Sequence, residues 1–398
     1  MSQLRHAEDV LRIVDGFAIR AEELLPNYPS LFSGQSGLSL LYSNLYLFTK
    51  QKQYQNKCID ILEQSIRSLD DGKAGCSLAN GVAGVGWLIK YLLKKKVLSD
   101  SDKKVLDDFD DILVESLKID SFKDNNHYDL LFGLIGKGVY FLEEYPNSKS
   151  EPLTIIFEKL KSLSVETEHG TLWYDYLGKE ERNETEAYFN LGLAHGLPSI
   201  IIFLSKISKI DVHHLECKNL LKSLIHYLQK QMLSNDISKF PSSSKSQQPS
   251  RLAWCYGDIG VALAFIYAAR VLEDDKLMNN AREIALQSSY RNLSNSYIKS
   301  ESSGLIENGV CHGSIGLVYL FSNLHDYFGD KEFLKAREYW LLNSFNKNEK
   351  LISRNYIFES NDWVENGTLL SGYCGMGISL LNYHNKECDG LNRPLLIW

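Results

Sequence analysis

The sequence predicts an all-α protein, an α/α toroid of seven inner and seven outer helices. Two observations predict it. A short motif, glycine, two residues, glycine, recurs along the chain and each time opens an apolar segment. Amphipathic segments lie between the copies. The copies are GQSG (Gly34 to Gly37), GVAG (Gly81 to Gly84), GLIG (Gly133 to Gly136), GLPS (Gly196 to Ser199), GDIG (Gly257 to Gly260), GSIG (Gly313 to Gly316) and CGMG (Cys374 to Gly377). The fourth and seventh are degenerate, the seventh with cysteine for its first glycine. One such motif means little, because glycines also make turns and end helices. Seven in phase, 47 to 63 residues apart, define a repeat.

Each motif opens a segment that is apolar almost all round, such as VGWLIKYLL or VALAFIYAARVL. The segments between, such as YQNKCIDILEQSIRSL and DKKVLDDFDDILVESLKI, space their apolar residues by three and four. That is the pattern of a helix with one wet face. The first kind should form an inner layer and the second an outer one. Seven pairs can close into a toroid or stack as an open solenoid. Closure is expected, because the inner helices are too apolar to line a wet concave face. The reading is a single domain over residues 1–398. KFPSSSKSQQPS (Lys239 to Ser250) falls inside the fifth repeat and is expected as a surface loop. The aromatic, charged stretch from His169 to Asn190 lacks a helical period. It predicts a non-helical insertion around residues 165–190 near the active-site mouth, serving peptide contact or merely adding length.

Composition excludes several classes. A net charge of −7 gives no electrostatic footprint for nucleic acid. No apolar run is long enough to span a membrane, and MSQLRHAEDV has no signal-peptide core. Seven cysteines in 398 residues are too sparse for a disulfide scaffold. Free thiols and a cytoplasmic setting are expected.

Glycine at a helix start permits close backbone approach, and is expected to leave N–H groups pointing outward. If every inner helix begins at its motif, the residues just before the glycines line one mouth. Those pairs are Phe32 and Ser33, Ala79 and Asn80, Leu131 and Phe132, Ala194 and His195, Cys255 and Tyr256, Cys311 and His312. Two cysteines, two histidines and a tyrosine thus crowd three adjacent repeats. Two thiolates and an imidazole suit zinc, with a fourth position open for water or substrate. Cys255, Cys311 and His312 are therefore the expected ligands of one Zn2+. The alternative is two buried cysteines and a hydrogen-bonded histidine. Cys58, Cys217, Cys388, Cys76 and Cys374 read as packing or loop residues.

The strings LGLAHGLPS, RLAWCYGDIG and CHGSIG, with the sevenfold motif, resemble the LanC lanthionine cyclases over essentially the whole chain. The resemblance implies a zinc enzyme that adds cysteine thiols to dehydroalanine or dehydrobutyrine in a precursor peptide. It implies the same three zinc ligands, and it carries the family's histidine, aspartate, tyrosine and arginine onto His195, Asp129, Tyr256 and Arg251. His195 would be the acid/base group, Asp129 its orienting carboxylate and Tyr256 a hydrogen-bond donor to an enolate. The plainer reading of Asp129 is a helix N-cap, and of Arg251 a structural ion pair. Two departures concern packing: GDIG replaces the usual GxPG, and Ser199 replaces a glycine. The early first repeat implies a stand-alone cyclase. A separate dehydratase, an export transporter and a place at the inner face of the membrane are the implied context. Three rivals remain: a LanC-like protein binding a small thiol such as glutathione, a toroidal glycosidase with paired carboxylates at its mouth, and a non-catalytic scaffold.

Overall fold

A computed structural model describes residues 6–69, 74–119, 127–143, 150–175, 187–300, 304–345, 355–357 and 362–398. Among the described residues are fourteen α-helices and two two-stranded hairpins. Seven helices begin at the glycine motif: α2 (Gln35–Thr49), α4 (Val82–Lys94), α6 (Leu134–Leu142), α8 (Leu197–Ser208), α10 (Asp258–Leu272), α12 (Ser314–Phe328) and α14 (Tyr373–His384). Nearly all their residues are buried. The other seven are α1 (Ala7–Leu24), α3 (Lys52–Leu69), α5 (Val105–Lys118), α7 (Ser150–Ser162), α9 (His214–Lys230), α11 (Asp275–Ser289) and α13 (Lys331–Ser344). Each of these keeps a wet face, as its apolar spacing requires.

The chain forms two compact units, residues 1–113 with 298–398, and residues 114–297. In the first, α12 packs on α14, α14 on α2, and α2 on α4, so the last inner helix sits beside the first. The outer helix α1 lies against α14, α3 against α2, and α13 against α12. Lys90 of α4 is buried and faces Asp110 of α5 at 3.8 Å, a charge taken into the core with its partner. In the second unit α8 packs between α6 and α10, backed by α7, α9 and α11.

The motif works differently from the outward N–H groups expected of it. The first helical N–H turns back onto the carbonyl seven residues upstream: Gln35 to Tyr28 at 2.9 Å, Val82 to Gly75 at 3.0 Å, Leu134 to His127 at 2.9 Å, Leu197 to Asn190 at 2.9 Å, Ser314 to Glu307 at 2.9 Å and Tyr373 to Asn366 at 2.8 Å. An otherwise orphan donor is thereby used to fold the preceding loop over the helix start. The seventh motif is also shifted. The N-cap of α14 is Gly372, so the copy is Gly372 to Gly375, a complete glycine motif, and Cys374 is one of its inner residues. A Cβ on Gly375 would lie 1.9 Å from the Leu369 carbonyl, which shows why glycine stands there.

Two other segments lie outside the helices. The stretch Lys239 to Ser250 is exposed only at Lys245, Gln247 and Gln248; Phe240, Pro241 and Ser250 are buried. Asp258 at the start of α10 anchors it, accepting from the backbone N–H of Phe240 at 2.9 Å and of Lys239 at 3.0 Å. Burial raises the Asp258 carboxyl above the usual carboxylate range, and these hydrogen bonds oppose that rise. Residues 165–175 are non-helical. Strands β1 (Val165–Thr167) and β2 (Gly170–Leu172) form a hairpin that packs on α9. The adjoining Trp173 is buried, and its indole N–H donates to the Leu160 carbonyl at 2.7 Å. The remainder of the expected insertion, residues 176–186, lies outside the described residues. The second hairpin joins β3 (Asn355–Ile357) to β4 (Asp362–Val364).

Candidate active site

The residue just before each helix-opening glycine meets solvent in every repeat: Ser33, Asn80, Phe132, His195, Tyr256, His312 and Ser371. The residue before that is buried in the first five repeats (Phe32, Ala79, Leu131, Ala194, Cys255) and half-buried in the last two (Leu370 and Cys311). Within each unit the loops are tied edge to edge. Leu31 N–H donates to Ala79, Leu369 to Phe32, and Val310 and Cys311 to Leu370. Leu130 donates to Ala194, and Ala194 to Cys255. These bonds hold the chemical residues in fixed register.

The donor atoms of Cys255, Cys311 and His312 all lie within 4.8 Å of one another. Two sulfurs and one imidazole at that spacing fit a zinc ion with one position left open. The Glu307 carboxylate, nearly buried, lies 3.4 Å from His312 Nε2. A carboxylate on the far nitrogen is the usual outer support of a ligating imidazole. One other group among the described residues has comparable spacing, Glu158, His213 and Glu216 at the outer helices α7 and α9. There Lys161 already pairs with Glu216, and Phe157 stacks on His213. The remaining cysteines are fully or nearly buried. Burial pushes the thiols of Cys58, Cys217 and Cys388 up to about 12, and that of Cys374 up as well. They are packing residues.

Asp129 is not an N-cap. Gly133 caps α6, with no side-chain bond. The two carboxylate oxygens of Asp129 instead have separate partners. Oδ1 accepts the Phe132 N–H at 2.7 Å and so closes the local turn. Oδ2 lies 2.6 Å from His195 Nδ1. The carboxylate assigns the proton to Nδ1 and leaves Nε2 for chemistry. Burial acts to lower the His195 pKa, but the hydrogen bond to Asp129 and its charge, with Cys255 and Asp175 behind, raise it above the ordinary histidine value. Phe132 is exposed and stacks parallel to the imidazole, ring centres 6.4 Å apart.

Tyr256 is half-buried, with its ring against Gly192, where a Cβ would stand 2.5 Å from it. Arg251 is half-buried in the turn leading to Cys255. That turn depends on Gly257, whose φ of +94° is left-handed; a Cβ there would lie 2.5 Å from Ser250 Oγ and 2.7 Å from the Arg251 carbonyl. The structure thus brings Asp129 to His195 and groups the three expected ligands. Sequence reasoning missed Glu307, Phe132 and Asp175. Glu307 and Phe132 had a readable signal. Both hold a fixed place in the repeat, Glu307 as the carbonyl that caps α12 and Phe132 in the slot of the two histidines.

Buried apolar helices that open on a shared glycine motif, with two cysteines and two carboxylate-held histidines just before it, define a helical-repeat protein with a candidate metal site. Residues 26–395 match the family of lanthionine synthetase C-like proteins, and the chain belongs to that family. Nisin biosynthesis protein NisC of Lactococcus lactis subsp. lactis is 26% identical over 358 residues, covering 83% of this chain and 81% of that protein. The solved structure of nisin cyclase superposes with a TM-score of 0.75 at 20% identity, covering 98% of this chain and 97% of its own. The fold is accordingly an α/α toroid. Among the described residues no helix is long and apolar enough to cross a membrane.

Proposed function

We propose that this protein is a zinc-dependent lanthionine cyclase, acting as one catalytic domain on a dehydrated precursor peptide. The observation that carries the proposal is the grouping of the Cys255, Cys311 and His312 donor atoms within 4.8 Å. The family match, and relatives named for nisin biosynthesis and as a nisin cyclase, support it. The reaction joins a cysteine sulfur to the β-carbon of dehydroalanine or dehydrobutyrine. The carbon–carbon π bond breaks, and the α-carbon takes up a proton, so nothing is oxidised and nothing leaves. A zinc ion held by Cys255, Cys311 and His312 would acidify a thiol at its open position. His312 would ligate through Nδ1, because Glu307 holds Nε2. His195 exchanges the proton at Nε2 while Asp129 keeps Nδ1 protonated and the ring in place. Tyr256 would donate to the oxygen on which enolate charge develops. Arg251 acts on the turn that carries Cys255, not on the substrate. The substrate must come from an enzyme that removes water from serine or threonine.

The test is to incubate zinc-loaded protein with a dehydrated precursor peptide and count free thiols. One thiol should be lost per ring, with no change in peptide mass. Retention of every thiol by fully metallated protein would overturn the proposal.

A further inference from the structure

The Asn190–Leu197 turn carries His195, and one side chain organises it. Asn190 is buried and uses three atoms. Its backbone carbonyl accepts the Leu197 N–H that starts α8, at 2.9 Å. Its Oδ1 accepts the Gly192 N–H at 2.9 Å. Its Nδ2 donates to Asp175 Oδ2 at 2.7 Å. Which way an amide faces depends on its partners. Asp175 offers only acceptors, so it requires Nδ2 on its side and delivers Oδ1 to Gly192.

Asp175 is itself fixed. Its backbone pairs with Tyr188 through hydrogen bonds of 2.8 and 3.2 Å, and the Tyr188 hydroxyl donates to the same Oδ2 at 2.9 Å. On the other side of residues 189–191, Leu191 N–H donates to Ser242 at 3.1 Å and Ser244 N–H to Phe189 at 2.9 Å. The approach to His195 is therefore held between Asp175 and the loop anchored by Asp258. The charge of Asp175 also reaches the imidazole, and among the described residues the buried Tyr128 hydroxyl beside it has no hydrogen-bond partner. A buried carboxylate is costly where only a fold is needed. Here it sits among the polar groups beneath His195.

We propose that Asp175 is a positioning residue for His195, acting through the Asn190 amide. The proposal rests on the acid/base reading of His195. Asp175→Ala should lower kcat about 10-fold, the scale of an outer supporting partner. KM for the dehydrated precursor and bound zinc should not change. Asp175→Asn, which keeps an acceptor oxygen, should bring kcat back to within about threefold of the parent on the same scale. Asp175→Ala combined with Asn190→Asp should be no slower than the slower single variant, as coupled residues behave. If Asp175→Ala does not fold, Asn190→Asp alone must reproduce the kcat loss at unchanged KM. Parental kcat in Asp175→Ala or in Asn190→Asp would overturn the proposal, and so would equal losses in Asp175→Ala and Asp175→Asn. His195→Asn separates the two readings. A slow His195→Asn beside a parental Asp175→Ala rejects only the positioning role. A parental His195→Asn rejects the acid/base reading beneath it.

Discussion

His195 and His312 occupy the same place in their repeats, one residue before the glycine that opens an inner helix. Both are about one-third exposed, and each faces a nearly buried carboxylate. They differ in which nitrogen the carboxylate holds. Asp129 takes His195 at Nδ1 and 2.6 Å, whereas Glu307 takes His312 at Nε2 and 3.4 Å. The carboxylates also reach them from different places. Asp129 comes from the repeat before that of His195, and Glu307 lies five residues ahead of its histidine in the same loop. A repeat therefore supplies one slot, and the position of a second residue decides which nitrogen of the imidazole in it stays open. Holding Nδ1 presents Nε2 to a proton; holding Nε2 presents Nδ1 to a metal.

The largest effect should come from breaking the metal half. Cys311→Ala should lose bound zinc and ring closure together, because two remaining donors are too few for a stable site. Metal analysis of the purified variant, beside a thiol count on precursor, checks this; stoichiometric zinc would remove Cys311 from the ligand set. Next comes the proton half. His195→Asn should retain full zinc and lose about 10²- to 10⁴-fold in kcat, the range of a missing acid/base group.

The two carboxylates should then give opposite phenotypes. Asp129→Asn should slow catalysis about 10- to 100-fold at unchanged zinc affinity, while Glu307→Gln should weaken zinc by a similar factor and spare kcat at saturating metal. Competition with a chromophoric chelator measures the second, and steady-state rates the first. If both variants lose zinc, or both lose only rate, the two histidines do not have separate roles.

Much of this was legible before any coordinates. The repeat period, the inner and outer layers and the candidate metal group Cys255, Cys311 and His312 all follow from pattern and residue type. What escaped depended on loop conformation. The seventh motif was set two residues late because CGMG looked like a degenerate copy, and only the cap at Gly372 shows the true frame. Lys239 to Ser250 looked like a solvated loop because serine and lysine carry no apolar period. Its anchoring depends on Asp258, whose contacts to Lys239 and Phe240 leave no trace in composition. Asp175 is a single acidic residue among fifty, and nothing local marks it.

Asp129 gives the finest test, because its two oxygens have separable duties. Four residues before the helix-opening glycine, other repeats carry Ser30, Ser77 and Thr368. Each accepts the N–H three residues on: Ser33 at 2.9 Å, Asn80 at 3.2 Å and Ser371 at 3.3 Å. Asp129 does the same for Phe132 through Oδ1. A hydroxyl therefore suffices for the turn, and only a carboxylate has a second oxygen for His195. Asp129→Ser should keep stability within about 0.5 kcal/mol of the parent, whereas Asp129→Ala, which drops the turn bond too, should cost about 1 kcal/mol more. Both should share the catalytic loss of Asp129→Asn. Denaturant midpoints at constant m-value measure the first difference. Equal destabilisation by serine and alanine would mean that the Asp129–His195 contact, not the turn, carries the stability. The division of labour between the two oxygens would then be wrong.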